Sequence, residues 1–236
     1  FSIFEIQIHE DKEPIVLRNE KKKNIPYEDT AETNRMRGVL RAYNELLRRT
    51  HIDCSHLDQP YVLKSNRARI NINQRDKFVR RIFNNSSFEQ GGRFYGGWWQ
   101  TIPSRYRSRL LINGKRTVEL DYSGLHPAIL YAEAGRDLPD DPYDGILAPQ
   151  HRDLVKKAFN AMVNAKHELT RPPYGLVLRE TGMTWRQLSS AIREKHKPIS
   201  DAFYSDGGTH LQFIDSKLAE RVMLYFAQLP SKAAVL

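Results

Sequence analysis

An Asn-Gly pair between two β-prone segments is the strongest local constraint in this chain. Asn113-Gly114 follows the apolar run 109–112 and precedes the segment 116–121, Arg-Thr-Val-Glu-Leu-Asp. Because Asn-Gly favours a type I′ turn, whose twist matches that of paired strands, these residues predict a β-hairpin. The second strand of this hairpin would carry Asp121 at its carboxyl end.

Helical and strand patterns alternate irregularly along the rest of the chain. Apolar residues at every third or fourth position predict helices, and Thr184 with Gln187 forms a capping box. Because strands and helices do not alternate regularly, the sequence predicts the α+β class. The predicted strands lie within 1–18 and in the hairpin, and the predicted helices cover 29–49, 74–84, 125–134, 151–166, 184–195 and 209–228.

Two of these helices carry specific expectations about burial. In the helix 74–84, the spacing places Phe78, Val79, Ile82 and Phe83 in the core and leaves its Lys and Arg residues in solvent. In the helix 209–228, a stripe from Leu211 to Phe226 would be buried.

Composition restricts the classes of protein that fit. Of the 236 residues, 37 are Lys or Arg and 28 are Asp or Glu, which gives a net charge of +9 and a pI near 9.6. A basic protein attracts polyanions, of which nucleic acid is the commonest. No stretch is apolar enough to predict a membrane span, so we expect no membrane partner. The single cysteine, Cys54, favours a reducing compartment and therefore a cytoplasmic location.

Glycines and aromatic residues alternate in the segment 91–99, Gly-Gly-Arg-Phe-Tyr-Gly-Gly-Trp-Trp. One interpretation is a flexible segment that brings flat side chains against bases, with Arg93 and Tyr95 as candidate nucleic-acid-binding residues. The other is a hairpin whose aromatic rings fill the core beneath glycine turns. The sequence leaves both interpretations open.

Asp121 begins the segment 121–126, Asp-Tyr-Ser-Gly-Leu-His. A carboxylate between a strand and a helix is well placed to bind a divalent cation together with a neighbouring carbonyl oxygen, here that of Tyr122. Mg²⁺, or Mn²⁺, suits such a site because Mg²⁺ takes few protein ligands and completes its shell with substrate phosphates. Asp is also common in turns for structural reasons, which is the competing interpretation.

Arg152, Lys156, Asn160 and Asn164 are spaced four residues apart. On a helix this spacing forms one polar stripe, and two cations along it suit a triphosphate. The alternative is an ordinary solvated helix face.

Three segments in this order resemble motifs of family A nucleic-acid polymerases and the related phage single-subunit enzymes. The segment beginning at Asp121 resembles motif A, the Arg152-x-x-x-Lys156 pattern resembles the fingers helix, and Leu211-Gln212 resembles the segment before motif C. The resemblance implies that Asp121 and the Tyr122 carbonyl bind catalytic metals and that Arg152 and Lys156 bind the nucleotide phosphates. It also implies that Gln212 reaches the minor groove near the primer terminus.

The chain departs from the family pattern at three places. Asn160 stands where the family has a stacking aromatic residue, and His126 stands where its DNA polymerases carry a glutamate near the sugar. Both belong to the candidate nucleotide site. The second catalytic aspartate of the family has no counterpart before Leu236, so we expect these 236 residues to be incomplete as a catalyst.

The resemblance covers residues 88–236, for which it implies a polymerase-like palm with its helical fingers. Residues 1–87 are unmatched and are expected to form a thumb-like or linking region. The expected function is template-directed nucleotidyl transfer with Mg²⁺, nucleoside triphosphates and primer-template DNA or RNA. Two alternatives remain, a nucleic-acid-binding module that has lost catalysis and a metal-dependent phosphodiesterase.

Overall fold

Strands and helices both form in the computed structural model of this chain, which describes residues 12–229. The mixture of small sheets and separate helices confirms the α+β prediction at that level. The strands are β1 Ile15–Arg18, β2 Asn24–Ile25, β3 Ile52–Cys54, β4 Tyr61–Leu63, β5 Arg69–Asn71, β6 Arg80–Asn84, β7 Ser87–Tyr95, β8 Leu110–Ile112 and β9 Lys115–Arg116. The helices are α1 Ala31–Arg49, α2 Ser104–Arg107, α3 Leu125–Glu133, α4 Arg152–Asn164, α5 Trp185–Lys195 and α6 Gly208–Gln228.

The chain divides into two compact units. Unit 1 consists of residues 1–120 and 216–236, and unit 2 consists of residues 121–215. The family resemblance instead predicts a boundary after residue 87, between a thumb-like or linking region and a palm with fingers. That assignment stays a prediction. Within residues 12–229, no helix is both long and apolar enough to cross a membrane.

Unit 1 contains a sheet in the order β2-β1-β6-β7, in which β1 and β6 are parallel and the other pairs are antiparallel. Helix α1 begins with a capping box of Thr30 and Thr33 and buries one apolar stripe along its length. The α1 side chain of Asn44 donates to and accepts from the backbone of Val79, just before β6. These features confirm the predicted helix 29–49 and the strand within 15–18, whereas residues 1–11 lie outside the described part.

The predicted helix 74–84 is wrong, because the chain forms strand β6 there. Asn85 and Ser86 have φ values of 53° and 54°, so they form a tight two-residue turn that pairs β6 with β7 as a hairpin. The solvent positions assigned to Lys77 and Arg81 are also wrong, since both side chains are buried. Lys77 Nζ donates to the carbonyl oxygen of Arg48 at 3.1 Å, at the end of α1.

The Asn-Gly hairpin forms as predicted but its second strand is short. Asn113 and Gly114 have φ values of 50° and 76°, as a type I′ turn requires, and β8 pairs with β9 across them. Strand β9 ends at Arg116, so the prediction of a strand through Asp121 is wrong. The physical reason is that residues 117–120 pair with no strand in the described part of the chain, and Val118 and Leu120, 81% and 89% exposed, gain no burial there.

A buried ion pair joins strand β6 to helix α6. Arg81 Nη1 lies 2.5 Å from Glu220 Oε2, and the two side chains are only 3% and 9% exposed. Arg81 also donates to Ser216 Oγ at 2.9 Å. Helix α6 confirms the predicted helix 209–228, but the apolar stripe predicted for it is only partly right. Leu211 is buried, whereas Phe226 is exposed and the polar residues Ser216 and Glu220 are buried instead.

Unit 2 has a helical core. The buried side of α4 packs with α5 and with residues from α3, and Phe159, Met162, Leu188 and Ile192 are fully buried there. Thr184 and Gln187 form the predicted capping box of α5. The structure thus confirms the helices predicted over 125–134, 151–166 and 184–195, with ends that differ by up to two residues.

Removing the negative charge of Glu220 should destabilise unit 1. Glu220→Gln keeps the side-chain volume but leaves the guanidinium of Arg81 buried without its counter-ion, which typically costs about 3–5 kcal/mol. The matched control is Glu119→Gln, because Glu119 pairs with Arg107 at 2.9 Å with side chains 62% and 45% exposed. Exposed pairs of that kind contribute about 1 kcal/mol or less. Urea unfolding measures both, and equal losses would contradict the structural role of Glu220.

Candidate functional site

Asp121 lies in an exposed loop between β9 and α3. It is the first residue of unit 2, and Tyr122 beside it is 60% exposed. The loop ends at Gly124, whose φ of 67° turns the chain into α3. His126 occupies the first turn of this helix and is half-buried. The predicted site residues Asp121, Tyr122 and His126 therefore lie on a loop and at the start of a helix.

The Gly124 turn lies against the segment 141–143. A Cβ atom built on Gly124 would lie 3.1 Å from Cγ of Pro142, so the backbone approaches the proline ring more closely than most side chains would permit. This contact brings the turn that follows Asp121 next to an acidic and aromatic segment that is distant in sequence.

Asp141, the neighbour of Pro142, binds Arg152 at the start of α4. Arg152 Nε donates to Asp141 Oδ2 at 2.6 Å and Nη2 donates to Oδ1 at 3.1 Å. The Tyr143 backbone N–H donates to Oδ1 at 2.8 Å. The Arg152 guanidinium beside Asp141 holds the pKa of that carboxyl below its usual value, and the Tyr143 N–H adds to the effect.

Tyr143 fixes the other side of the Arg152 guanidinium. The Cζ atom of Arg152 lies 5.1 Å from the centre of the Tyr143 ring, which is a cation–π contact. Burial raises the pKa of Tyr143 to about 12, so this phenol remains neutral near pH 7. Nε and Nη2 of Arg152 both donate to Asp141, whereas Nη1 makes no hydrogen bond to the described residues.

Two residues at the end of α5 hold the 141–144 segment in place. His196 is fully buried; its Nε2 donates to the carbonyl oxygen of Pro142 at 2.8 Å, and its Nδ1 accepts from the Tyr131 hydroxyl at 3.1 Å. Lys195 Nζ donates to the carbonyl oxygens of Asp141 and Asp144. Burial lowers the pKa of His196, while its bond to Pro142 opposes the shift.

The polar stripe of α4 forms as predicted. Lys156 is exposed, and Asn160 lies one further turn along the same face, half-buried at the edge of the apolar face that enters the core. Asn160 Oδ1 is buried and has no hydrogen-bond partner among the described residues. An unsatisfied buried acceptor is costly, so this atom is a local source of instability in α4.

The remaining predicted residues are more scattered. Gln212 lies half-buried in α6 within unit 2, whereas Arg93 and Tyr95 lie on β7 in unit 1. Sequence reasoning assigned no role to Asp141, Lys195 or His196. The family resemblance does distinguish Asp141-Pro142-Tyr143 as the acidic and aromatic segment between Asp121 and the Arg152 helix, but it does not predict that Asp141 pairs with Arg152. A lone histidine such as His196 gives no comparable signal.

Comparisons with protein-family models, with curated proteins and with solved structures found no match to this chain. The site is therefore interpreted from its own geometry. No cluster of three or more His, Cys, Asp or Glu side chains that could hold a metal ion is present in residues 12–229. Asp121 is exposed and is the one carboxylate within the segment 121–126.

The contact between Gly124 and Pro142 should make Gly124 intolerant of a side chain. Gly124→Ala places a Cβ against the proline ring and also strains a left-handed backbone, which together should cost about 2 kcal/mol of unfolding free energy. Gly135→Ala is the matched control, since its φ is 62° but nothing lies within 4 Å of the added Cβ. It should show the backbone cost alone, about 1 kcal/mol. Equal losses in urea unfolding would mean that the contact is not tight.

Burial of neutral His196 should make the protein less stable in mild acid. The folded-state pKa is lower than that of the unfolded chain, so the contribution of His196 is complete above about pH 6.5 and decreases as pH falls toward the folded pKa. The expected slope is up to about 1.4 kcal/mol per pH unit. His196→Gln can still donate to Pro142 but does not titrate, so it should flatten this slope. Urea unfolding from pH 8 to pH 5 tests both; identical slopes would refute the assignment.

Proposed function

We propose that unit 2 binds a nucleoside triphosphate with Mg²⁺ for template-directed nucleotidyl transfer. The observation that carries the proposal is a chain of contacts within unit 2. Gly124, in the motif A turn, meets Pro142, and the adjacent Asp141 binds Arg152 of the fingers-like helix. Two segments that the resemblance assigns to one nucleotide site are thereby linked.

Arg152 and Lys156 are the proposed ligands of the triphosphate. Asp141 and Tyr143 fix the orientation of the Arg152 guanidinium and leave Nη1 for a phosphate oxygen. Lys156 follows one helical turn later and is exposed, so its ammonium can reach a neighbouring phosphate. Because both cations lie on a helix anchored in the core, little conformational freedom of the backbone is lost when the nucleotide binds.

A single carboxylate fits a Mg²⁺ ion that arrives with the nucleotide. Mg²⁺ is commonly held by one or two carboxylates together with substrate phosphates and water. Asp121, with the carbonyl oxygen of Tyr122, would hold the ion, which when bound neutralises charge on the phosphates during transfer. In this proposal α4 is the fingers helix, and the hairpin leading to Asp121 belongs to a palm-like region.

Binding of nucleic acid without catalysis is the second candidate function. It is favoured by Asn160, which replaces the stacking aromatic residue of the family pattern, and by the presence of one carboxylate at the motif A loop. In that case unit 2 would retain the helices of a nucleotide site but not its chemistry.

Titration with a fluorescent nucleoside triphosphate and Mg²⁺ tests the proposed site. Lys156→Ala should weaken binding about tenfold because it removes one charge-assisted contact to a phosphate. Lys157→Ala is the matched control, since this lysine is also exposed but points about 100° away around the helix. Asp121→Asn should bind the metal-free nucleotide normally and lose the gain in affinity that Mg²⁺ provides.

Primer extension on a primed template with Mg²⁺ or Mn²⁺ separates the two candidates. Asp121→Asn should abolish any incorporation, because Asn keeps an acceptor oxygen but not the charge that binds the cation. Equal weakening by Lys156→Ala and Lys157→Ala would indicate unspecific charge attraction and reject the site. Nucleic-acid binding without either nucleotide binding or incorporation would favour the second candidate.

A further inference from the structure

The positive charge of this protein belongs to unit 1. The residues of unit 1 include 26 Lys and Arg against 15 Asp and Glu, a net charge of +11, whereas those of unit 2 include 11 against 13, a net charge of −2. A polyanion such as nucleic acid is attracted in proportion to the cations it meets. Its main binding surface should therefore lie on unit 1 and not on the unit that carries Asp121 and Arg152.

One face of the β6–β7 hairpin combines cations with an exposed aromatic ring. The strand register sets Arg80 opposite Tyr95 and Ile82 opposite Arg93, and directly opposed residues project from the same face. Arg81 projects from the other face, where its Nη1 contacts the Met36 sulfur of α1. On the first face Ile82 is buried, Arg80 and Arg93 are half-buried and Tyr95 is exposed; we name the residues Arg80, Arg93 and Tyr95 the outer face of the hairpin.

A shallow cavity of about 620 Å³ adjoins Tyr95 on this hairpin. Its lining consists of Phe94, Tyr95, Gly96, Gly97, Gln100 and Thr101. The volume lies in the range of small-ligand sites, which is roughly 300–1,000 Å³. Tyr95 is 44% exposed, so one part of its ring is available for stacking.

Two glycines of this lining allow close backbone contacts that a side chain would prevent. A Cβ at Gly96 would overlap the carbonyl oxygen of Phe78, and one at Gly97 would overlap the ring of Trp99. Gln100 braces the same loop, since its Oε1 accepts from Gly96 N at 3.0 Å and its Nε2 donates to Phe94 O at 3.2 Å. The Gly-aromatic segment thus has a defined shape, with Trp98 and Trp99 buried and Tyr95 at the surface.

We infer that the outer face of the hairpin binds single-stranded nucleic acid. A base would enter the cavity and stack on Tyr95, while Arg80 and Arg93 bind the flanking phosphates. Exposed aromatic rings beside cations are the usual means of holding single strands, whereas a duplex keeps the faces of its bases stacked internally. The inference rests on the proposed polynucleotide-directed function and extends it by assigning the polynucleotide to a surface of unit 1.

Fluorescence anisotropy with a labelled oligo-dT single strand, without nucleotide or Mg²⁺, tests the inference. Tyr95→Ala should weaken binding about tenfold, as expected when one stacked base loses its platform, and Tyr95→Phe should retain binding. Tyr174→Ala is the matched control, since Tyr174 is fully exposed in unit 2. Arg80→Gln and Arg93→Gln should each lower the slope of log affinity against log salt by about 0.7, and Arg179→Gln of unit 2 should not.

Several results would overturn this assignment. They are no binding by the unmodified protein, no effect of Tyr95→Ala, an equal effect of Tyr174→Ala, or tighter binding of a duplex that Tyr95→Ala leaves unchanged. Asp121→Asn and Lys156→Ala should bind the oligonucleotide as the unmodified protein does. If the triphosphate site fails its own test while the Tyr95 effect holds, the function proposed for unit 2 is wrong and the surface on unit 1 stands.

Discussion

The buried imidazole of His196 is the contact on which the candidate nucleotide site depends. It joins α5 to Pro142 and to Tyr131 of α3, and the rings of Phe159 and Phe203 lie against it. A neutral imidazole can donate at one nitrogen and accept at the other, so both of its polar atoms are satisfied without a buried charge. The segment 141–144 is thereby held by a contact in the core as well as by Lys195 nearer the surface.

Asp141 connects the buried His196 contact to Arg152 at the surface. Because its backbone is fixed by Lys195 and its carboxylate accepts from Tyr143 N, Asp141 presents a rigid acceptor to Arg152. An arginine that is already paired and stacked loses little side-chain entropy when it binds an anion. In the proposed site, the core of unit 2 therefore fixes the orientation of Arg152 before a phosphate binds.

The sequence allows a large part of the helical architecture to be predicted. Capping boxes and apolar periodicity are local, so Thr184 with Gln187 and the stripe of α4 could be found without tertiary information. Strand β6 could not be found in that way, because Arg81 is charged yet buried and its counter-ion Glu220 is distant in sequence. The sequence signal that could have indicated a hairpin there was the pair of turn-forming residues Asn85 and Ser86.

Sequence patterns were least informative about Asp121. The type I′ turn at Asn113-Gly114 was correctly predicted. How far a strand continues, however, depends on pairing with a neighbouring strand and on burial of its apolar side chains. Among the described residues, 117–120 pair with no strand, and Val118 and Leu120 are exposed. Likewise, the Gly-aromatic segment 91–99 has two competing interpretations, and the structure bears only on the one that places its aromatic rings in the core. Its tryptophans are in the core and Tyr95 is at the surface.

The two halves of the proposed nucleotide site differ in how far they are ordered before binding. Arg152 is held by an ion pair and a ring, whereas Asp121 lies exposed on a loop outside any helix or strand. Fixing a residue costs about 1–2 kcal/mol in backbone entropy, so a lone carboxylate on such a loop gains little from a cation by itself. A cation that is already bound to phosphates on α4 is held close to the site, so Asp121 can bind it without having to fix its position alone. Phosphate binding by Arg152 and Lys156 should therefore precede capture of the metal by Asp121, and the metal should increase affinity only when the triphosphate is present.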